Sequence, residues 1–171
     1  MKVLVAEDWW ADRLRFELLL GRHSNIDVTF AWRAGRGNGV WHAEAIADAV
    51  VHHDALLLDM ALTRADEDTF LDVRRRPPAD VLAAELTHPI FQISGIRVLQ
   101  LLADKERQHG ARSGTYTKRC IIVSAYTYDV LKQLAASRWS VRDTFHKWLD
   151  EDRIIETLFT AAPDQGGNQD V

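Results

Sequence analysis

Residues 54–60 read Asp54-Ala55-Leu56-Leu57-Leu58-Asp59-Met60: four apolar side chains in a row, then a carboxylate. A half-exposed strand would alternate polar and apolar positions. A strand covered on both faces needs no such alternation. The segment therefore predicts a buried strand of a parallel sheet that delivers Asp59 at its carboxyl end. The same pattern recurs on either side. Val3-Leu4-Val5-Ala6 runs into Glu7-Asp8, and Arg119–Ser124 carries Cys120-Ile121-Ile122-Val123 into Ser124. Ile26 to Trp32 alternates and reads as a further strand. Ser140 to Lys147 reads as a last, more polar edge strand with Lys147 at its end.

Helical spacing lies between these runs. Trp10 to Leu20 places Trp10, Leu14 and Leu18 on one face, and Gly21 stops it. Trp41 to Val51 is Ala-rich and amphipathic. Gly95 to Glu106 reads as a crossover helix with Ile96, Leu99 and Leu102 on one side. Asp129 to Arg138 is a further helix. Asp150 to Ala161 closes the series, with Ile154, Ile155, Leu158 and Phe159 as its buried stripe. Strands alternating with helices specify an α/β fold around a parallel sheet. The distance from Asp59 to Cys120 exceeds one crossover, which leaves residues 62–94 as an insertion. It contains Asp66-Glu67-Asp68, Arg74-Arg75-Arg76, Pro77-Pro78 and a short helix from Asp80 to Leu86. Residues 163–171 form a Gly/Gln/Asp-rich tail expected to be disordered.

Composition sets the outer limits. The chain's 171 residues suit one domain, here 1–162, with its own core. A net charge of −4 gives no global attraction to nucleic acid or anionic membrane. Cys120 is the lone cysteine, which excludes an internal disulfide and fits a cytoplasmic protein. The start, MKVLVAED, is charged too early for a signal peptide, and no apolar run approaches a membrane span.

Open parallel sheets bind ligands beyond the carboxyl ends of their strands. Glu7, Asp8, Asp59, Ser124 and Lys147 all fall at such ends, so one crevice is expected to hold them. Crowded carboxylates repel by roughly 4 kcal/mol per pair at about 4 Å and an effective dielectric near 20. A divalent cation relieves this, and a few hard oxygen ligands favour Mg²⁺. A carboxylate beside such a cation serves as a nucleophile for phosphoryl transfer, with an ammonium and a hydroxyl to meet the phosphoryl oxygens.

The segments KVLVAED, DALLLDMAL, GIRVLQLL, IIVSAY and TFHKW, in that order, resemble the response-regulator receiver family of two-component signalling. The resemblance covers most of residues 1–61 and 95–161. It implies a flavodoxin-like, doubly wound sheet of five parallel strands in the order 2-1-3-4-5, with helices on both faces. Glu7, Asp8 and Asp59 would hold Mg²⁺ together with the backbone carbonyl of Ala61. Asp59 would accept the phosphoryl group from a histidine kinase or histidine phosphotransfer protein, and Lys147 and Ser124 would contact it. Such a domain is a signalling module rather than a conventional enzyme. Its output here would be a contact with a downstream protein, or a homodimer through the helix from Asp129 and the last strand. The chain departs from the family's pattern at Glu7 (commonly Asp), at Trp148 (commonly Pro), at Thr144 (commonly aromatic) and in the insertion.

Other readings compete. A degenerate receiver-fold interaction module would work without phosphorylation. The turn Gly35-Arg36-Gly37-Asn38-Gly39 suggests a dinucleotide fingerprint, but Val40 stands in place of the third glycine and a flexible turn is preferred. His42, His52, His53 and Glu44 have poor spacing for a metal. Trp9 and Trp10 beside the acid pair are candidate anchors for a partner helix, or core residues.

Overall fold

The computed structural model describes residues 1–7, 9–31, 43–60, 95–124, 139–147 and 149–160, the side chain of Ile96 excepted. In chain order the elements are β1 (Lys2–Ala6), α1 (Trp10–Leu20), β2 (Asp27–Phe30), α2 (Ala43–Val50), β3 (Ala55–Leu58), α3 (Gly95–Gln108), a 3₁₀ turn (Thr117–Arg119), β4 (Cys120–Ser124), β5 (Asp143–His146) and α4 (Glu151–Phe159). The glycine-rich turn at 35–39, the insertion, the helix expected from Asp129 and the tail lie outside the described residues.

The five strands form one sheet in the order β2-β1-β3-β4-β5, and every neighbouring pair is parallel. The apolar runs quoted above are its centre. β1, β3 and β4 each have a partner on both sides, and Val3, Leu56 and Ile121 are fully buried. Side-chain alternation divides each run between two cores. Leu4, Ala6, Leu56, Leu58, Cys120 and Ile122 pack with α2 and α3 through Ile46, Val50, Val98, Leu99 and Leu102. Val3, Val5, Leu57, Ile121, Val123 and Phe145 pack with α1 and α4 through Phe16, Leu20, Ile154 and Leu158. Each fully buried Val, Leu, Ile or Phe contributes about 1.5–3 kcal/mol of transfer free energy. Burial also pushes the Cys120 thiol far above its ordinary pKa, so it is a small apolar core residue and not a reactive thiol.

The faces that two helices bury are set by the structure. In α1 the buried stripe is Asp12, Phe16 and Leu20. The face of Trp10, Leu14 and Leu18 points to solvent, with Trp10 63% exposed. The two stripes share the same four-residue spacing and lie on opposite sides of the helix. Periodicity alone therefore favours the more apolar one. A partner for Asp12 inside the fold reverses that choice. In α4, Ile154 and Leu158 are buried as expected, Ile155 is partly buried and Phe159 is largely exposed.

Two polar devices set the approach to β4. Glu106, buried near the end of α3, accepts hydrogen bonds from the backbone N–H groups of Gly114 (2.9 Å), Tyr116 (2.7 Å) and Thr117 (2.8 Å) and from the Thr117 hydroxyl (3.1 Å). The Arg119 guanidinium donates to the carbonyls of Val50, Val51 and His53 at 3.0–3.2 Å, tying the end of α2 to the start of β4. Both satisfy backbone groups that would otherwise be stranded at element ends.

Candidate functional site

Sheet register builds the site. Ala6 pairs with Leu58, so Glu7 and Asp59 leave adjacent strands side by side. The Asp59 amide donates to the Ala6 carbonyl at 3.0 Å, which continues the ladder by one step. Ser124 pairs with His146, and the Lys147 amide donates to the Ser124 carbonyl at 2.9 Å. Alternation puts Glu7, Asp59 and Lys147 on the α1/α4 side of the sheet, where the buried stripe of α1 adds Asp12.

Lys147 is 1% exposed, and its ammonium is the hub of this cluster. Its Nζ lies 2.5 Å from Glu7 Oε2, 2.6 Å from Asp59 Oδ2 and 3.1 Å from Asp12 Oδ2. The loop after β5 is braced on both sides: the His146 amide donates to Asp150 Oδ2 (3.2 Å), and the His146 ring lies 2.6 Å from the Lys147 carbonyl through Nδ1. With Trp148 in place of proline, the lysine still reaches the crevice; Trp148 itself lies outside the described residues. The other oxygen of Glu7 accepts the Trp9 amide at 3.0 Å.

Among the described residues three carboxyl groups, those of Glu7, Asp12 and Asp59, face one ammonium. Burial, together with the Asp59 charge, holds the Glu7 carboxyl well above the usual carboxylate range, although Lys147 and the Trp9 amide pull it down. Burial alone would lower the Lys147 pKa, but the Asp59 and Glu7 carboxylates outweigh it and hold the ammonium firmly charged. Among the described residues the mouth therefore holds more acidic groups than basic ones.

That crowding bears on Mg²⁺. Hard carboxylate oxygens gathered at the mouth fit such an ion. Of the expected ligands, Glu7 and Asp59 stand together; Asp8 and Ala61 lie outside the described residues. Among the described residues no three His, Cys, Asp or Glu side chains are grouped to hold a metal, since the described acids converge on Lys147 instead. His53 is bonded to the Ala49 carbonyl through Nδ1, a helix-end contact and not a metal site.

Ser124 is fully buried, and its hydroxyl has no hydrogen-bond partner among the described residues. Thr144 is a buried position within β5. Two site residues were missed in the sequence. Asp12 betrays itself only as an acid on an otherwise apolar i, i+4, i+8 stripe with Phe16 and Leu20. Gly95 begins α3 against the end of β3: a Cβ there would meet Met60 Sδ at 2.7 Å, the Asp59 carbonyl oxygen at 2.8 Å and Met60 Cα at 3.0 Å. Only a glycine lets the helix start so close to Asp59.

No protein-family model matches the chain, and no curated protein matches its sequence. Solved structures do match. One is the signal receiver domain of a protein described as a Luxo repressor from Vibrio parahaemolyticus, at 16% identity over 92% of this chain and 85% of that one, with a TM-score of 0.50. Another is the response regulatory domain of protein mrkE from Klebsiella pneumoniae, at 17% identity over 92% of each chain, with a TM-score of 0.48. With its strand order, the chain has the flavodoxin-like fold of response-regulator receiver domains. None of the helices among the described residues is long and apolar enough to cross a membrane.

Proposed function

We propose that the chain is a phosphoacceptor receiver of a two-component relay, in which Asp59 takes a phosphoryl group with Mg²⁺ and the new state is read by a protein partner. The observation that carries this reading is the Lys147 ammonium, buried and 2.6 Å from Asp59 Oδ2, at the carboxyl mouth of the sheet. A lysine that served packing alone would not be drawn out of water among three carboxylates.

The chemistry follows from the parts. An Asp59 carboxylate oxygen attacks the phosphorus of a phosphohistidine. The phosphorus–nitrogen bond breaks, its electron pair stays on the donor imidazole, and an acyl phosphate remains. Glu7, Asp8 and Asp59, with the Ala61 carbonyl, would hold Mg²⁺, which supplies positive charge to the phosphoryl oxygens when bound. Lys147 donates to a phosphoryl oxygen, and the Ser124 hydroxyl supplies a further donor from its buried place at the end of β4. Attack of water on phosphorus later restores the carboxylate. The donor is a histidine kinase or histidine phosphotransfer protein. The output is a contact with a downstream protein or a second copy, without nucleic acid or membrane, in the cytoplasm.

A second reading is an interaction module that works unphosphorylated. The crowding of the Lys147 ammonium by three carboxyl groups favours it, as does the exposed Trp10, Leu14 and Leu18 stripe. Incubation with Mg²⁺ and phosphoramidate, followed by intact mass, separates the two. The phosphoacceptor gives one phosphoryl adduct, lost in Asp59→Asn and in EDTA. A protein that stays unmodified at every donor concentration fits only the second reading.

A further inference from the structure

We propose that Asp12 is a positioning residue that holds, on the Lys147 ammonium, the place an incoming phosphoryl oxygen must take, and so sets how tightly the site accepts its phosphodonor. The inference rests on the phosphoacceptor reading and assigns a role to a residue outside the expected set.

An ammonium has three N–H donors and no acceptor. Lys147 faces three carboxylate oxygens, one each from the end of β1, the end of β3 and the first turn of α1. It donates hydrogen bonds to Asp59 and Asp12, and Glu7 Oε2 crowds it at 2.5 Å as an ion-pair contact, so another oxygen reaches the ammonium only where one of these gives way. The three are not equivalent. Glu7 and Asp59 lie at 2.5 and 2.6 Å on strands locked by the sheet ladder, with side chains 0% and 2% exposed. Asp12 lies at 3.1 Å on a helix, and its side chain is 11% exposed. The longest contact, nearest to water, is the one released at least cost. Near the α1 N-terminus the freed carboxylate is also favourably placed against the helix dipole.

Asp12 has no other visible reason to be where it is. It sits on a buried stripe with Phe16 and Leu20, where an apolar side chain would pack without penalty. An unpaired carboxylate there would be costly. Its described partner is Lys147, so its presence bears on that ammonium and on little else. As an anion beside the mouth it also repels an incoming phosphoryl group. Asp12 thus competes with the phosphodonor twice, for the same N–H and through its charge.

The test uses the whole chain and Asp12→Asn, which keeps shape and removes charge, with Asp12→Glu as the charge-retaining control. Mg²⁺ is titrated for each variant and held at saturation. Phosphoramidate kinetics should show roughly tenfold lower KM in Asp12→Asn with kcat little changed, and values near wild type in Asp12→Glu. Tungstate, an unreactive tetrahedral dianion, should bind Asp12→Asn correspondingly tighter, read by thermal shift. A purely structural Asp12 would change thermal stability alone. Equal tungstate affinity in wild type and Asp12→Asn overturns the inference whether or not the protein is phosphorylated. A wild type that binds tungstate yet takes no phosphoryl group counts against the phosphoacceptor reading instead. Should Asp12→Asn fail to fold, Asp12→Ser makes the same comparison.

Discussion

Replacing Lys147 by Met keeps an unbranched side chain of similar reach and removes only the charge. Glu7, Asp59 and Asp12 then face one another without the ammonium they share. At separations of 2.5–3.1 Å each lost attraction is about 5–7 kcal/mol at an effective dielectric near 20. Much of this is offset because the ammonium's own desolvation is also removed. Removing one partner of a buried ion pair typically costs about 3–5 kcal/mol, and three stranded carboxylates place this site at the upper end. For a chain of this length the loss corresponds to a fall in Tm of roughly 10–20 °C. Urea unfolding in EDTA, repeated with Mg²⁺, is the assay. The variant should lose stability in EDTA and recover far more than wild type when Mg²⁺ is added, because the cation replaces the missing charge. Asp59→Asn should behave oppositely in EDTA and be no less stable than wild type, since it relieves the repulsion on Glu7. A Lys147→Met protein within about 1 kcal/mol of wild type in EDTA would refute the claim that this ammonium is the cluster's counter-charge.

Further outcomes follow from the same structure. Gly95→Ala pushes a methyl group into Met60 and the Asp59 carbonyl; despite better helix propensity it should cost about 1–3 kcal/mol in urea melts and slow phosphorylation. Glu106→Ala strands the buried donors of Gly114, Tyr116 and Thr117 and should cost about 3 kcal/mol or more, while leaving phosphodonor KM unchanged. Glu7 has a raised carboxyl pKa in the fold, so above the ordinary value of 4.5 the folded state keeps a proton that the unfolded chain has released. Its contribution to stability therefore falls as pH rises from there towards neutrality. In EDTA, the stability of wild type minus that of Glu7→Gln should decline over that window, and a difference that grows with pH would contradict the assignment.

How much of this was legible in the sequence depended on how local the cause was. The buried runs at Val3–Ala6, Ala55–Leu58 and Cys120–Val123 announce themselves, because a strand covered on both faces needs nothing beyond its own residues to be recognised. The polar residue closing each run was legible for the same reason, and Glu7, Asp59 and Lys147 meet as expected. Asp12 and Gly95 were not legible. Asp12 earns its burial from a lysine far along the chain, and Gly95 from a close approach to Met60; neither cause leaves a local periodic mark. Which face of α1 is buried was not legible either, since Trp10, Leu14 and Leu18 exceed Asp12, Phe16 and Leu20 in apolar character but not in partners.

The central claim is that Asp59 is the nucleophile. After treatment with phosphoramidate and Mg²⁺, borohydride reduction converts an aspartyl phosphate to homoserine, which peptide mass spectrometry places at a single residue. The account predicts homoserine at Asp59, absent without Mg²⁺. Homoserine at another acid, or at none, would contradict it.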